Sequence, residues 1–365
     1  MSARTADGAA AVTRVGARPA ATAAPPRSSR EVYRDWLVEA MARDERVVCL
    51  DSDTGLFSGV DFGAAAPRYV NLGIAEQNLL GVAAGLAASG LVPYVNTMAA
   101  FAGTRALEAV KIDVALAGLP VRIAATHSGV SAGHLGPTHH ALEDLAVMRV
   151  LPGMTVLAPA DAAETEALLA QGHPLPGPVY LRLGRNPTPD LPASAAGAGE
   201  PIALGRARRL RHGGDALIAA CGPYPVLAAL AAADLLAAEG IEAGVLGLHT
   251  VKPLDVDALL AALPPNRSLV TVEEHWRAGG FGSAVAEALT ELAPVRVLMV
   301  AFPDEFAEVA GSQTHLLGRY GITGDAVAAR VRETLQGRTA PGHRRVDRGW
   351  TAVNAGVDAP VRTVP

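Results

Sequence analysis

Aromatic residues are scarce in this chain. Phe, Trp and Tyr make up only 4% of its 365 residues although 50% are hydrophobic, so alanine and branched aliphatics must fill the core. Cysteine is rarer still. Cys49 and Cys221 each sit in an apolar, strand-like run, which excludes a disulfide framework and reads as two core thiols. Lysine is confined to Lys111 and Lys252, and the arginines are interspersed with acids to a net charge of −5. That distribution leaves no basic patch for nucleic acid or an anionic membrane. No uninterrupted apolar run reaches the ~20 residues of a membrane span. Residues 1–27 are mostly Ala, Arg, Thr and Pro, without the apolar stretch of a secretory signal. They read as a disordered arm on a soluble, cytoplasmic protein.

What is present is a regular alternation of strand and helix. A helix over 28–43 opens on Ser28 and Glu31 at capping-box spacing. Strand-like runs follow at 47–50, 92–96, 121–125, 155–158 and 179–183, with helical stretches beginning near 74, 101, 141 and 161. Asp161 and Glu164 form a second cap-and-box pair. Residues 186–201 are rich in Pro, Ala and Gly and read as a linker. A second block then places strands at 217–221, 244–248, 269–273 and 295–300, and helices at 224–238, 283–292 and 325–335. The pattern predicts an α/β fold of two domains, 28–185 and 202–337, each with a mainly parallel sheet, followed by a loose tail over 338–365.

One carboxylate breaks the pattern. From 74 to 89 the residues Leu79, Leu80, Val82, Ala83, Leu86 and Ala87 fill one broad side of a helix that Gly90 can end. Glu76 falls on that same side, beneath Leu80, Ala83 and Ala87, where an apolar residue belongs. Elsewhere, Gly-Gly-Phe-Gly at 279–282 suggests a dinucleotide loop but lacks the third glycine and the acidic residue further on. A tight strand-to-helix turn is the better reading. His127, His134, His139 and His140 cluster in one loop after a predicted strand, where α/β sheets bind ligands. His134, His139 and Glu143 match no established ligand spacing, so no metal site is expected on this chain.

Gly73-Ile74-Ala75-Glu76-Gln77-Asn78 resembles the segment carrying the catalytic glutamate of the thiamine diphosphate enzymes of the transketolase family. The likeness extends in order and spacing through Thr97 to Phe101, Arg105, Thr126 to Gly129, Gly136 to His139, Ala160-Asp161 and Tyr180 to Arg185. Val251 to Asp255, Glu273 to His275 and Gly279 to Gly282 are similar to the C-terminal domain of the same family. The resemblance implies a pyrimidine-binding domain followed by a transketolase C-terminal domain. It implies Glu76 and His139 as catalytic residues. Glu76 would hold a proton against the pyrimidine ring, a task that suits a carboxyl in a rigid apolar pocket. Phe101 would stack on that ring, with Met98, Arg105 and Asp53 completing the cofactor site. His127, His134, Leu135 and the arginine pair Arg30 and Arg185 would face the substrate, the arginines gripping a phosphate.

Two departures qualify the likeness. The family has an acidic residue, a partner for a substrate hydroxyl, where Leu135 stands, so an acceptor without that hydroxyl is expected. No Gly-Asp-Gly occurs in the sequence, and that segment, with a later Asn, holds magnesium and the diphosphate in the family. The chain therefore resembles the C-terminal subunit of a split transketolase. Its implied partner is an N-terminal, diphosphate-binding subunit carrying most of the Mg2+ contacts, in an α2β2 heterotetramer acting on sugar phosphates or related substrates. The β subunit of a 2-oxo acid dehydrogenase E1 component shares the two-domain plan and is the alternative.

Overall fold

Ser28 and Glu31 start the first helix as their spacing predicts. Ser28 Oγ accepts the Glu31 amide, and the Glu31 carboxylate accepts the Ser28 amide at 3.0 Å. The computed structural model describes residues 25–192, 194–195 and 201–336. Most of the expected N-terminal arm, part of the expected linker and the expected tail lie outside the described residues.

The first block runs α1 (Ser29–Arg43), β1 (Val47–Asp51), β2 (Tyr69–Asn71), α2 (Glu76–Ala88), β3 (Val92–Met98), α3 (Ala99–Ala102), α4 (Leu107–Ala109), β4 (Arg122–Thr126), α5 (Asp144–Val150), β5 (Thr155–Leu157), α6 (Ala162–Gly172) and β6 (Val179–Arg182). The second runs β7 (Arg208–Arg211), β8 (Ala216–Ala220), α7 (Pro223–Ala237), β9 (Ala243–Gly247), β10 (Thr250–Lys252), α8 (Val256–Ala262), β11 (Leu269–Trp276), α9 (Phe281–Leu292), β12 (Val297–Phe302), α10 (Gln313–Arg319) and α11 (Gly324–Leu335). The sheets are ordered β10-β5-β6-β4-β3-β1-β2 and β12-β11-β8-β9-β7. All pairings are parallel except β10 with β5 and β7 with β9. Strands β1, β4 and β8 are buried on both faces; β8 reads as a continuous apolar run, as a parallel strand covered by helices should, while β1 and β4 carry the buried polar residues Asp51, Arg122 and Thr126 at their ends.

Several boundaries differ from expectation for local reasons. Helix α2 begins at Glu76, not Ile74, because Gly73 turns with φ 72° and its amide is held by Asn71 Oδ1 at 2.8 Å. The helix expected near Phe101 is the four-residue α3, followed by a turn and a wider π-type turn over Val110–Ala115. The helix expected from 141 starts at Asp144, after Ala141 has bridged back to Gly129. Arg27, expected in the disordered arm, instead bridges Thr188. Nor is the start of the expected linker loose, because the buried Leu191 donates its amide to Asp161 Oδ2 at 2.9 Å. The Gly-Gly-Phe-Gly turn holds its own anion. The buried Glu273 carboxylate accepts from Phe281 N and Gly282 N at 2.6 and 2.8 Å, filling the helix head that a dinucleotide phosphate would need.

The two blocks are also less separate than their sequence suggests. Strand β10 of the second block completes the first block's sheet against β5. Leu145, Met148 and Val156 share one core with Leu217, Leu246 and Phe281. Lys252 secures this junction by donating to Arg149 O and Leu151 O, at 3.0 and 2.5 Å, at the end of α5. Lys252→Met keeps the apolar stem and deletes the donor, so it should cost about 1–3 kcal/mol in urea unfolding. Stability equal to that of the parent would contradict this role.

Candidate active site

The carboxyl ends of the first sheet's parallel strands gather every residue proposed for the site. Chain order reverses between β1 and β3, which is where open α/β sheets bind ligands. Asp53 follows β1, Met98 ends β3 and heads α3, Phe101 lies in α3, and His127 follows β4. Arg185 follows β6, while His134, Leu135 and His139 lie in short 3-10 turns over Gly133–Leu135 and Pro137–His139. Ser29 brings Arg30 to the same edge, since its Oγ accepts the Gly184 amide at 2.7 Å.

Two groups form there. In the first, Glu76 heads α2 with 1% exposure, on a side it shares with buried Leu80, Ala83 and Ala87. Its carboxylate accepts from Arg105 Nη1 at 2.9 Å. The same guanidinium lies over the Phe101 ring, 4.2 Å from its centroid, as a cation–π contact. The His139 ring meets Phe101 edge-on at 5.3 Å. A flat aromatic face, a buried carboxylate at its rim and an imidazole beside it are thus one unit, spanned by a planar cation.

In the second group, Arg30 Nη1 stands 3.4 Å from His127 Nε2, and Arg185 Nη1 stands 2.9 Å from His134 Nδ1. A guanidinium cannot accept, so His127 Nε2 is the acceptor and Nδ1–H faces Thr126 Oγ1 at 3.0 Å. Burial, then the positive charges of Arg30 and Arg185, pushes the His127 imidazole down to about 3. Burial and the neighbouring Arg185 also lower the Arg30 guanidinium, and its buried Nε has no hydrogen-bond partner. Two forks and two imidazoles converge with an unpaired donor among them, an arrangement that suits a tetrahedral anion.

The remaining expected members are less engaged. Asp53 accepts from Asn71 Nδ2 at 3.0 Å, and Met98 is partly buried. Leu135 is 43% exposed, and Glu143 accepts its neighbour's amide, Leu142 N, at 2.9 Å. Among the described residues no three or more His, Cys, Asp or Glu could together hold a metal ion. No helix among them is long and apolar enough to cross a membrane. Sequence reasoning overlooked the support beneath the loop. Buried Arg182 donates to both Asp144 oxygens at 2.8 and 3.0 Å and to Ala141 O, where the loop returns. A lone arginine within an apolar strand was the available signal.

Comparison with known proteins fixes the family. Residues 26–190 match the transketolase pyrimidine-binding domain and residues 205–327 the transketolase C-terminal domain. The 6-deoxy-6-sulfo-D-fructose transketolase subunit SqwH of Clostridium sp. (strain MSTE9) is 40% identical, over 84% of this chain and 94% of that subunit. The chain belongs to the transketolase family. One of the subunits of the apulose-4-phosphate transketolase of Phocaeicola vulgatus is 37% identical, over 84% of this chain and 97% of that relative. Among solved structures, a split gene transketolase in the form of an inactive beta4 tetramer is 42% identical, with a TM-score of 0.75. The alignment covers 85% of this chain and 98% of that one.

This transketolase-family chain has both domains, and the neutral His127 gives a direct solution test. The unfolded imidazole titrates near ~6.5, so below that pH the unfolded chain takes up a proton that the folded chain refuses. This contribution to stability is present above ~6.5 and is lost as pH falls towards about 3. In the folded protein, the His127 ring resonances should stay flat from about pH 8 to about pH 5. A midpoint near ~6.5 would contradict the buried, cation-flanked placement.

Proposed function

We propose that this chain is the pyrimidine-side subunit of a two-subunit transketolase. It transfers a ketol unit from a ketose bearing a terminal anion to an aldehyde acceptor. The observation that carries this reading is the Arg105 guanidinium, stacked on Phe101 and bonded to buried Glu76. A planar, nitrogen-bearing group already lies between an aromatic face and a carboxylate, which is the environment an aminopyrimidine needs. Arg105 is 47% exposed and can yield the Phe101 face to a ring.

Thiamine diphosphate, when bound, would supply a nucleophilic thiazolium carbon for the ketol transfer. Glu76 holds a proton at the pyrimidine N1′, and its dry surroundings keep that proton shared with the ring. Phe101 fixes the ring plane and excludes water, with Met98, Asp53 and Arg105 around it. His139, beside Phe101, accepts and returns a proton at the ketose hydroxyl. His127, neutral, hydrogen-bonds the donor hydroxyls. Arg30, Arg185 and His134 hold the far anion. The names of two relatives, one for a sulfo sugar and one for a sugar phosphate, are consistent with such a group. Leu135, exposed on the turn that carries His134, favours an acceptor without a hydroxyl beside its carbonyl.

The diphosphate and Mg2+ are held mainly by the partner subunit, in a cytoplasmic α2β2 heterotetramer. In support, the chain covers nearly the full length of relatives named as separate subunits. It spans 50% of 1-deoxy-D-xylulose-5-phosphate synthase of Gloeobacter violaceus, 38% identical. Relatives with transketolase-subunit names weigh against the 2-oxo acid dehydrogenase E1 alternative.

The test is to mix the purified chain with a diphosphate-side transketolase subunit, cofactor and magnesium, and to follow ketol transfer. Turnover should require both chains, and Glu76→Gln should lower it by about 10²-fold or more. Leu135→Asp should shift preference towards hydroxyaldehyde acceptors by roughly tenfold to a hundredfold. Robust turnover by the chain alone, or a fully active Gln variant, would overturn the reading.

A further inference from the structure

The second unit reaches into the first at a point that no catalytic role requires. Glu274, the middle residue of the buried Glu-Glu-His run in β11, extends its carboxylate under the loop that follows β4. There Glu274 Oε1 accepts the Val130 amide at 2.7 Å. Val130 is fully buried, so without this acceptor its N–H would be left unpaired. The fit is tight. A Cβ at Gly129 would lie 2.3 Å from Glu274 Oε1, and Gly129 itself has φ 60°. His127, two residues earlier, also has φ 57°, a conformation that residues with side chains rarely adopt. Such a backbone persists only where its surroundings over-determine it.

The carboxylate has a second partner. Gln313, 6% exposed at the start of α10, donates from Nε2 to both Glu274 oxygens at 2.9 Å. Its Oε1 in turn accepts from Asn186 Nδ2 at 2.7 Å, next to Arg185. A single relay of hydrogen bonds therefore runs from the residue after Arg185, through two side chains of the second unit, to the loop that carries His127. We propose that Glu274 and Gln313 are positioning residues, which hold the His127 loop and the Arg185 loop in register with each other. The inference rests on the substrate-facing roles proposed above for His127 and Arg185. Burial pushes the Glu274 carboxyl up to about 7, with Arg182 only partly offsetting it. An apolar residue would fill the space without that cost, so packing alone does not account for a carboxylate here.

Three variants, Glu274→Ala, Glu274→Gln and Gln313→Ala, separate positioning from folding. Amide hydrogen exchange on the full chain reads the clamp directly. Glu274→Ala should speed exchange at Val130 by at least about tenfold, Gln313→Ala should loosen both loops, and Glu274→Gln, which keeps an acceptor, should restore most protection. In the two-subunit complex, Glu274→Ala and Gln313→Ala should lower kcat/KM for the ketose by roughly tenfold to a hundredfold. Thiamine diphosphate affinity should stay unchanged, because Glu76 and Phe101 are untouched. Unchanged exchange at Val130 and at the residues following Arg185 would overturn the proposal. So would losses of kcat/KM and cofactor affinity that merely track the folded fraction. Should Glu274→Ala not fold, Gln313→Ala carries both readouts. Should the parent complex fail to transfer a ketol unit, the proposed function falls, and the exchange experiment still decides whether the clamp exists.

Discussion

A carboxylate withdrawn from water must find a partner, and the site around Glu76 is organised by that need. With 1% exposure, Glu76 cannot satisfy its charge with solvent. The apolar stripe of Leu80, Ala83 and Ala87 holds the helix face inward and leaves the carboxylate no other direction. Its partner is the Arg105 guanidinium, and the plane of that group is set by Phe101 beneath it. A carboxylate at a helix head also gains from the helix dipole, so burial and backbone act together to keep it in place. The ion pair is half open to water on the arginine side, which leaves it exchangeable for another planar donor.

The second group works by the opposite rule. Arg30 and Arg185 bring two guanidinium groups together, each with an imidazole nitrogen of His127 or His134 rather than a carboxylate as its hydrogen-bond acceptor. The crowding is tolerated because it sits on rigid supports: Ser29 locks α1 to the end of β6, and the Arg182–Asp144 pair anchors the returning loop. Crowded positive charge is relieved when an anion binds, so an arrangement of this kind favours anions before any shape matching. The two groups follow neighbouring parallel strands, Phe101 after β3 and His127 after β4.

Much of this was legible in the sequence, because the strongest signals were local. The inward register of Glu76 follows from helical periodicity alone, and the capping box at Ser28 forms as its spacing requires, whereas at Asp161 only the cap forms and Glu164 accepts the Ala160 amide instead. The turn at Gly279 to Gly282 was readable as a turn, although not that Glu273 would fill it. What escaped was non-local. Strand β2 is three largely exposed residues with no periodicity to detect. Strand β10 crosses into the first sheet, a pairing that no window along the chain can reveal. The stacking of Arg105 on Phe101 depends on a break after α3 that sequence patterning read as continuous helix. Gln313 gave no sign, since one glutamine at a helix start is ordinary until its neighbours in space are known.

The most direct measurement of the central claim is a crystal structure of the two-subunit complex with thiamine diphosphate and magnesium. The account predicts the aminopyrimidine stacked on Phe101, its ring nitrogen within about 3 Å of the Glu76 carboxylate and Arg105 displaced from the ring face. A cofactor bound elsewhere, with Arg105 still lying on Phe101, would contradict it.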